Sequence, residues 1–208
     1  MTLRDIPDSA ELSVRFRDPG RRFDGRGAAF LDRDGVINTG WNVNSVDEFA
    51  FLPGTARAIR RLNEAGIPVV VITNQGGVAL EYLSRSELER IHDRMERLLQ
   101  AEEAHVDAIY AALAYPQATI PALAKESRYR KPEPGMIERA RDDLGIDLRR
   151  SYVVGDTTTD ILAGKRAGCF TILVETGFAG KDEKTPDAVD PDAVVADLGA
   201  AVDLILGG

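Results

Sequence analysis

From residue 28 onward, the spacing of apolar positions alternates between two periods. Ala28-Ala29-Phe30-Leu31 is a short apolar run that stops at Asp32. Ala58, Ile59, Leu62 and Ala65 recur at helical spacing, with Gly66 as the stop. Residues 67–72 form an apolar, β-branched run of the kind covered on both faces of a sheet. Ser84-Arg85-Ser86-Glu87 reads as a capping box ahead of a stripe made by Leu88, Ile91, Met95, Leu98 and Leu99. Further strands are predicted over 106–113, 152–154, 170–174 and 192–196. Further helices are predicted over 134–144, 160–167 and 198–206. Apolar strands alternating with helices indicate an α/β fold with a mostly parallel sheet. In such sheets ligands sit beyond the carboxyl ends of the strands, where the winding direction reverses. That rule points to Asp32, Thr73 and Asp156.

Residues 1–27 read differently. Six arginines accompany five acidic residues, Pro7, Pro19 and three glycines. They are expected to form a polar leader ahead of a single domain over 28–208. The full length of 208 residues suits one domain with a sizeable core. The net charge of −8 argues against a sequence-independent nucleic-acid binder, which needs a basic surface. The single cysteine, Cys169, excludes an internal disulfide and a Cys-rich metal knuckle. No apolar run approaches a membrane span, and the start lacks the apolar core of a secretory signal. A cytoplasmic setting without membrane partners is expected.

Four segments carry candidate chemistry. In Asp32-Arg33-Asp34-Gly35, two carboxylates leave a strand end and a glycine turns the chain away. One such acid can attack phosphorus while its neighbour moves protons; a solvated turn has the same letters. Thr73-Asn74-Gln75-Gly76-Gly77 offers uncharged donors to a phosphate oxygen, or is simply a glycine-rich strand exit. Lys131, in Arg130-Lys131-Pro132, can offset charge on a nucleophile and a phosphate, or be an exposed basic turn. Gly155-Asp156 and Asp160 bring two more acids to a strand end and a helix start, where Asp160 can also serve as a cap. An all-oxygen donor set suits Mg²⁺.

The order of these four motifs resembles the haloacid dehalogenase (HAD) superfamily over about residues 28–180. The resemblance implies a three-layer, Rossmann-like fold with strand order 3-2-1-4-5, which brings Asp32, Thr73 and Asp156 together. It implies Asp32 as nucleophile, Asp34 as general acid and base, and Thr73 and Lys131 as phosphate stabilisers. Mg²⁺ would be held by Asp32, the Asp34 backbone carbonyl and Asp156, with Asp160 as a further ligand or a group behind the ligands. Residues 32–38, 73–79 and 130–136, with 47–54, are similar to the heptose bisphosphate phosphatase and histidinol-phosphatase group. That similarity implies substrate contacts from Asn38, Asn74, Gln75 and Arg130.

The group's zinc loop has Cys-x-His and Cys-x-Cys where this chain reads Tyr115-Pro116-Gln117 and Ser127-Arg128-Tyr129. No zinc is expected, and packing of Tyr115, Tyr129 and Pro121 is expected to hold the loop. Leu80 and Thr157 stand where these sugar phosphatases often have Arg and Lys. No segment is long enough for a large cap domain, so residues 36–53 and 114–130 would select the substrate; Trp41, in the first of these, is expected to pack on the body rather than to cover a sugar face. The expected activity is Mg²⁺-dependent hydrolysis of a small phosphorylated metabolite, a sugar phosphate or bisphosphate. Histidinol-phosphate phosphatase, polynucleotide 3′-phosphatase and a non-catalytic, receiver-like module are the alternatives.

Overall fold

The computed structural model describes residues 10–40, 43–182 and 190–207; Trp41 lies outside them. Seven strands form one sheet: β1 (Leu12–Phe16), β2 (Ala29–Leu31), β3 (Val69–Asn74), β4 (Ala108–Ala112), β5 (Tyr152–Gly155), β6 (Phe170–Val174) and β7 (Ala193–Val195). Five helices alternate with them: α1 (Thr55–Glu64), α2 (Arg85–Ala101), α3 (Gly135–Leu144), α4 (Thr158–Ala167) and α5 (Leu198–Gly207). The spatial order is β1-β4-β3-β2-β5-β6-β7. Its centre, β4-β3-β2-β5-β6, is parallel throughout and has the expected 3-2-1-4-5 winding. β7 extends it in parallel at one edge.

The other edge departs from the sequence reading. β1 lies inside the segment read as a polar leader, yet pairs antiparallel with β4 from Leu12↔Ala112 to Phe16↔Ala108. Leu12, Val14 and Phe16 are buried at period two, a strand pattern that the surrounding arginines and acids obscured. Arg15, between them, forms ion pairs with Glu89, Asp93 and Glu96 on α2.

Strand alternation divides the core into two layers. Val69, Val71, Ile109 and Leu31 face α1, α2 and α5. Phe30, Val70, Ile72 and Tyr110 face the side carrying Ile137, Ala140 and Leu144 of α3 and Ala163 of α4. Burial on both faces explains why these strands are apolar without a break. The capping box of α2 is only half formed. Ser84 accepts the Glu87 N–H at 3.0 Å, but the Glu87 side chain reaches across to the Val46 N–H at 3.1 Å. Among the described residues, no helix is long and apolar enough to cross a membrane.

The loop aligned with the zinc loop is held by backbone bonds and stacking. Tyr115 N donates to Leu123 O at 3.0 Å, and Leu123 is buried while Pro121 is exposed. Leu123 therefore supplies the apolar anchor expected of Pro121. Arg130 lies 4.7 Å above the Tyr115 ring, and Arg128 lies 5.2 Å above that of Tyr129.

Candidate active site

β2 occupies the centre of the sheet, where the chain winds outward through β3 and returns through β5. Leu31 stands beside both Val71 and Val154, so the residues that follow these strands meet at one end of the sheet. Asp32 N continues the ladder to Val154 O at 3.0 Å. Asp32, Asp34, Thr73, Asn74, Lys131 and Asp156 then line one small pocket of about 70 Å³.

Lys131 is buried with its ammonium fully engaged. Nζ lies 2.8 Å from Asp32 Oδ1 and 2.6 Å from Asp160 Oδ1, and donates to the Ile72 carbonyl at 3.0 Å. Burial would lower its pKa, but Asp160 and Asp32 together hold it above the usual lysine value. Asn74 positions the lysine by accepting from Lys131 N and donating to Lys131 O, both at 3.0 Å. Its amide therefore serves the Lys131 loop.

Asp32, Asp156 and Asp160 can place one carboxylate oxygen each within 4.8 Å of one another. Burial pushes Asp32 up to about 8; Lys131 opposes the rise, and Asp160 and Asp156 add to it. Burial, followed by the Asp160 charge, pushes Asp156 up to about 7. Asp156 Oδ2 accepts the Phe178 N–H at 2.8 Å. Its Oδ1 is buried without a hydrogen-bond partner among the described residues. A buried, unmatched carboxylate oxygen in an all-oxygen donor set fits a hard divalent cation. Asp160 is differently occupied: Oδ2 accepts from Thr157 N at 3.0 Å and Thr157 Oγ1 at 2.5 Å, capping α4, while Oδ1 faces Lys131.

Asp34 sits among donors. Arg33, Asn38 and Gln75 all reach its carboxylate. Asn38, expected to contact substrate, is fully buried, and its side-chain amide donates to Asp34 and to the Thr39 carbonyl. Gln75 Nε2 also donates to Thr73 Oγ1 at 2.9 Å, which leaves the hydroxyl proton of Thr73 free to donate elsewhere. Arg130 lies farther out, in an adjoining groove of about 620 Å³ that it shares with Asp34, Lys131, Leu80, Tyr82 and Tyr115. It has no carboxylate within ion-pair distance among the described residues.

Two contributors escaped sequence reasoning. Arg33 stands between two acids with no chemical signal of its own in the sequence, and the exit from β2 turns it inward, where it is fully buried. The other is the segment that follows β6. Thr176 Oγ1 donates to Gly35 O at 2.7 Å and Gly180 N to Asp156 O at 2.8 Å, fastening that segment over the first motif. Gly177 was the available signal, because a Cβ there would collide with the Asp156 carboxylate.

Comparison with known proteins agrees with this geometry. A family model described as HAD-hydrolase-like matches residues 128–201. The D-glycero-D-manno-heptose-1,7-bisphosphate 7-phosphatase of Thermosynechococcus vestitus is 40% identical over 188 residues, covering 86% of this chain and 95% of that protein. The D-glycero-beta-D-manno-heptose-1,7-bisphosphate 7-phosphatase of Haemophilus ducreyi is 36% identical, with 87% and 97% covered. The crystal structure of D,D-heptose 1,7-bisphosphate phosphatase from B. bronchiseptica, complexed with magnesium and phosphate, superposes with a TM-score of 0.77. It is 34% identical, with 87% of this chain and 98% of that chain covered. The strand winding, the acids gathered at the ends of β2 and β5, and these identities together establish that the chain belongs to the HAD superfamily of phosphatases, in the family of the heptose bisphosphate phosphatases.

Proposed function

We propose that this protein is a magnesium-dependent phosphomonoesterase that hydrolyses a small sugar phosphate or bisphosphate through an aspartyl-phosphate, and that its 114–130 loop works without zinc. The observation that carries the reading is the convergence of Asp32, Asp34, Thr73, Lys131 and Asp156 on one buried pocket. A carboxylate oxygen of Asp32 attacks phosphorus and the ester P–O bond breaks. Asp34 gives its proton to the departing alcohol oxygen. In the second step Asp34 takes a proton from water as that water attacks phosphorus. The bond to Asp32 breaks, inorganic phosphate leaves and the Asp32 carboxylate returns. Lys131 offsets charge on Asp32 and on the phosphoryl group, and the Thr73 hydroxyl donates to a phosphoryl oxygen. A bound divalent cation, held by Asp32, Asp156 and the Asp34 carbonyl, would supply the charge that lets these carboxylates and a phosphate lie together.

The groove beyond Asp34 supports an extended leaving group. Arg130, stacked on Tyr115 and free of carboxylates among the described residues, suits a second anionic group such as a second phosphate. Leu80 and the 62% exposed Tyr82 offer an apolar flank for a sugar face. The test is turnover of a panel of sugar phosphates and bisphosphates with and without Mg²⁺. Asp32→Asn should lower turnover by at least ~10³-fold. Equal rates for this variant and the native enzyme would overturn the reading.

A further inference from the structure

Arg33 is fully buried, a position a guanidinium tolerates only when its charge and donors are matched. Its match is Asp34. Nε and Nη2 lie 3.0 and 2.9 Å from Oδ1, and Nη2 lies 2.9 Å from Oδ2. Every hydrogen bond that the guanidinium makes among the described residues goes to this one carboxylate, and Nη1 has no partner. An arginine serving only to anchor the loop would be expected to tie carbonyls of neighbouring segments; this one ties none. Asn38 Nδ2 donates to Oδ1 at 3.0 Å and Gln75 Nε2 to Oδ2 at 3.1 Å. The Asp34 side chain keeps 16% exposure while Arg33 has none, and that exposure opens into the site pocket and the groove.

We propose that Arg33, assisted by Asn38 and Gln75, is a positioning residue that locks the Asp34 carboxylate in the orientation from which it exchanges protons with the leaving group. The inference rests on the reading of Asp34 as the acid–base group. A carboxylate on a turn has several rotamers open to it, and only one brings a proton to the ester oxygen. The planar two-nitrogen fork of arginine selects an orientation as well as a charge, which the single ammonium of lysine does not. The remaining exposed edge of Asp34 therefore always faces the groove in which the alcohol departs.

The experiment compares kcat/KM for an alkyl phosphate, whose alcohol must be protonated to leave, with that for p-nitrophenyl phosphate, whose phenolate leaves unaided. This parameter reports the steps up to departure of the alcohol. Asp34→Asn should lower it by about 10²–10⁴-fold on the alkyl ester and far less on the aryl ester. Arg33→Lys should lower it by about 10–100-fold on the alkyl ester, less than about threefold on the aryl ester, and no further in the Asp34→Asn background. Gln75→Met removes a donor at the rim of the cage and should show the same selectivity more weakly, so a failure of Arg33→Lys to fold still leaves a decisive variant. Equal losses on both esters, or losses that multiply in the double variant, overturn the inference. If Asp34→Asn itself affects both esters equally, the acid–base reading fails first. If Asp34→Asn is selective while Arg33→Lys and Gln75→Met are not, only the positioning role fails.

Discussion

His92, on α2, is fully buried, and neither imidazole nitrogen has a hydrogen-bond partner among the described residues. Burial, then the charges of Arg33 and Arg15, hold its pKa well below the usual 6.5. A depressed pKa means that the unfolded chain binds the proton more readily. The stability tied to the neutral ring is therefore present above pH 6.5 and lost as pH falls below it. Each pH unit in that range should cost about 1.4 kcal/mol through this residue. His92→Leu should flatten the decline, as measured by urea midpoints between pH 7 and pH 5; an unchanged slope would show that other groups govern the acid limb. Gly35 makes a second residue-scale case. Its φ of 86° is left-handed, and an added Cβ would run into the Asp156 carboxylate. Gly35→Ala should cost about 1–3 kcal/mol in backbone strain. It should also weaken divalent-cation binding, read by titration calorimetry, because Asp156 must move. The need for a glycine after Asp34 was legible in the sequence. The carboxylate pressed against it was not, because Asp156 lies far along the chain and only the sheet brings it back.

At the scale of elements, β1 closes an edge of the sheet. It covers the β4 edge through five paired positions, and Arg15 ties it to α2. Without it, an apolar parallel strand would present open N–H and C=O groups. Val14 is 2% exposed in this strand. Val14→Asp should destabilise the protein by about 3 kcal/mol or more, since a buried carboxylate there gains no designed partner. Chemical denaturation will measure this, and a loss under ~0.5 kcal/mol would mean that β1 contributes little. The period-two pattern of Leu12, Val14 and Phe16 was present in the letters but masked by charge. Arg15 explains why: a cation at a half-covered strand position is neutralised by Glu89, Asp93 and Glu96, residues 74 to 81 positions away. The helix stripes were easier to read, because apolar spacing is local. The reach of Glu87 to Val46 was not, since a side chain that satisfies a local cap can equally well satisfy a neighbouring turn.

For the whole molecule, the clustered acids at the sheet end should make stability depend on a bound divalent cation, a prediction that follows from the proposed function. Asp32, Asp156 and Asp160 lie close enough to repel one another, with Lys131 as their one buried cation within ion-pair distance among the described residues. Saturating Mg²⁺ should stabilise the native state by about 2.7 kcal/mol at a hundredfold excess over Kd, and chelator should reverse it. Asp156→Asn should reduce that shift in melting temperature, whereas an unchanged shift would move the cation elsewhere. The net charge of −8 offered no hint of this arrangement, since a sum says nothing about where charges meet. By itself the sequence determined the alternation of strands and helices, the acids at the strand exits and the order of the motifs, all of which depend on neighbours within one turn or strand. Tertiary structure decided that Asn38 and Gln75 hold Asp34, that Asn74 holds Lys131, and that a segment beyond β6 closes over Asp156. Those assignments required distant donors and acceptors to compete for the same buried partners, and only the packed sheet sets which of them come within hydrogen-bonding distance.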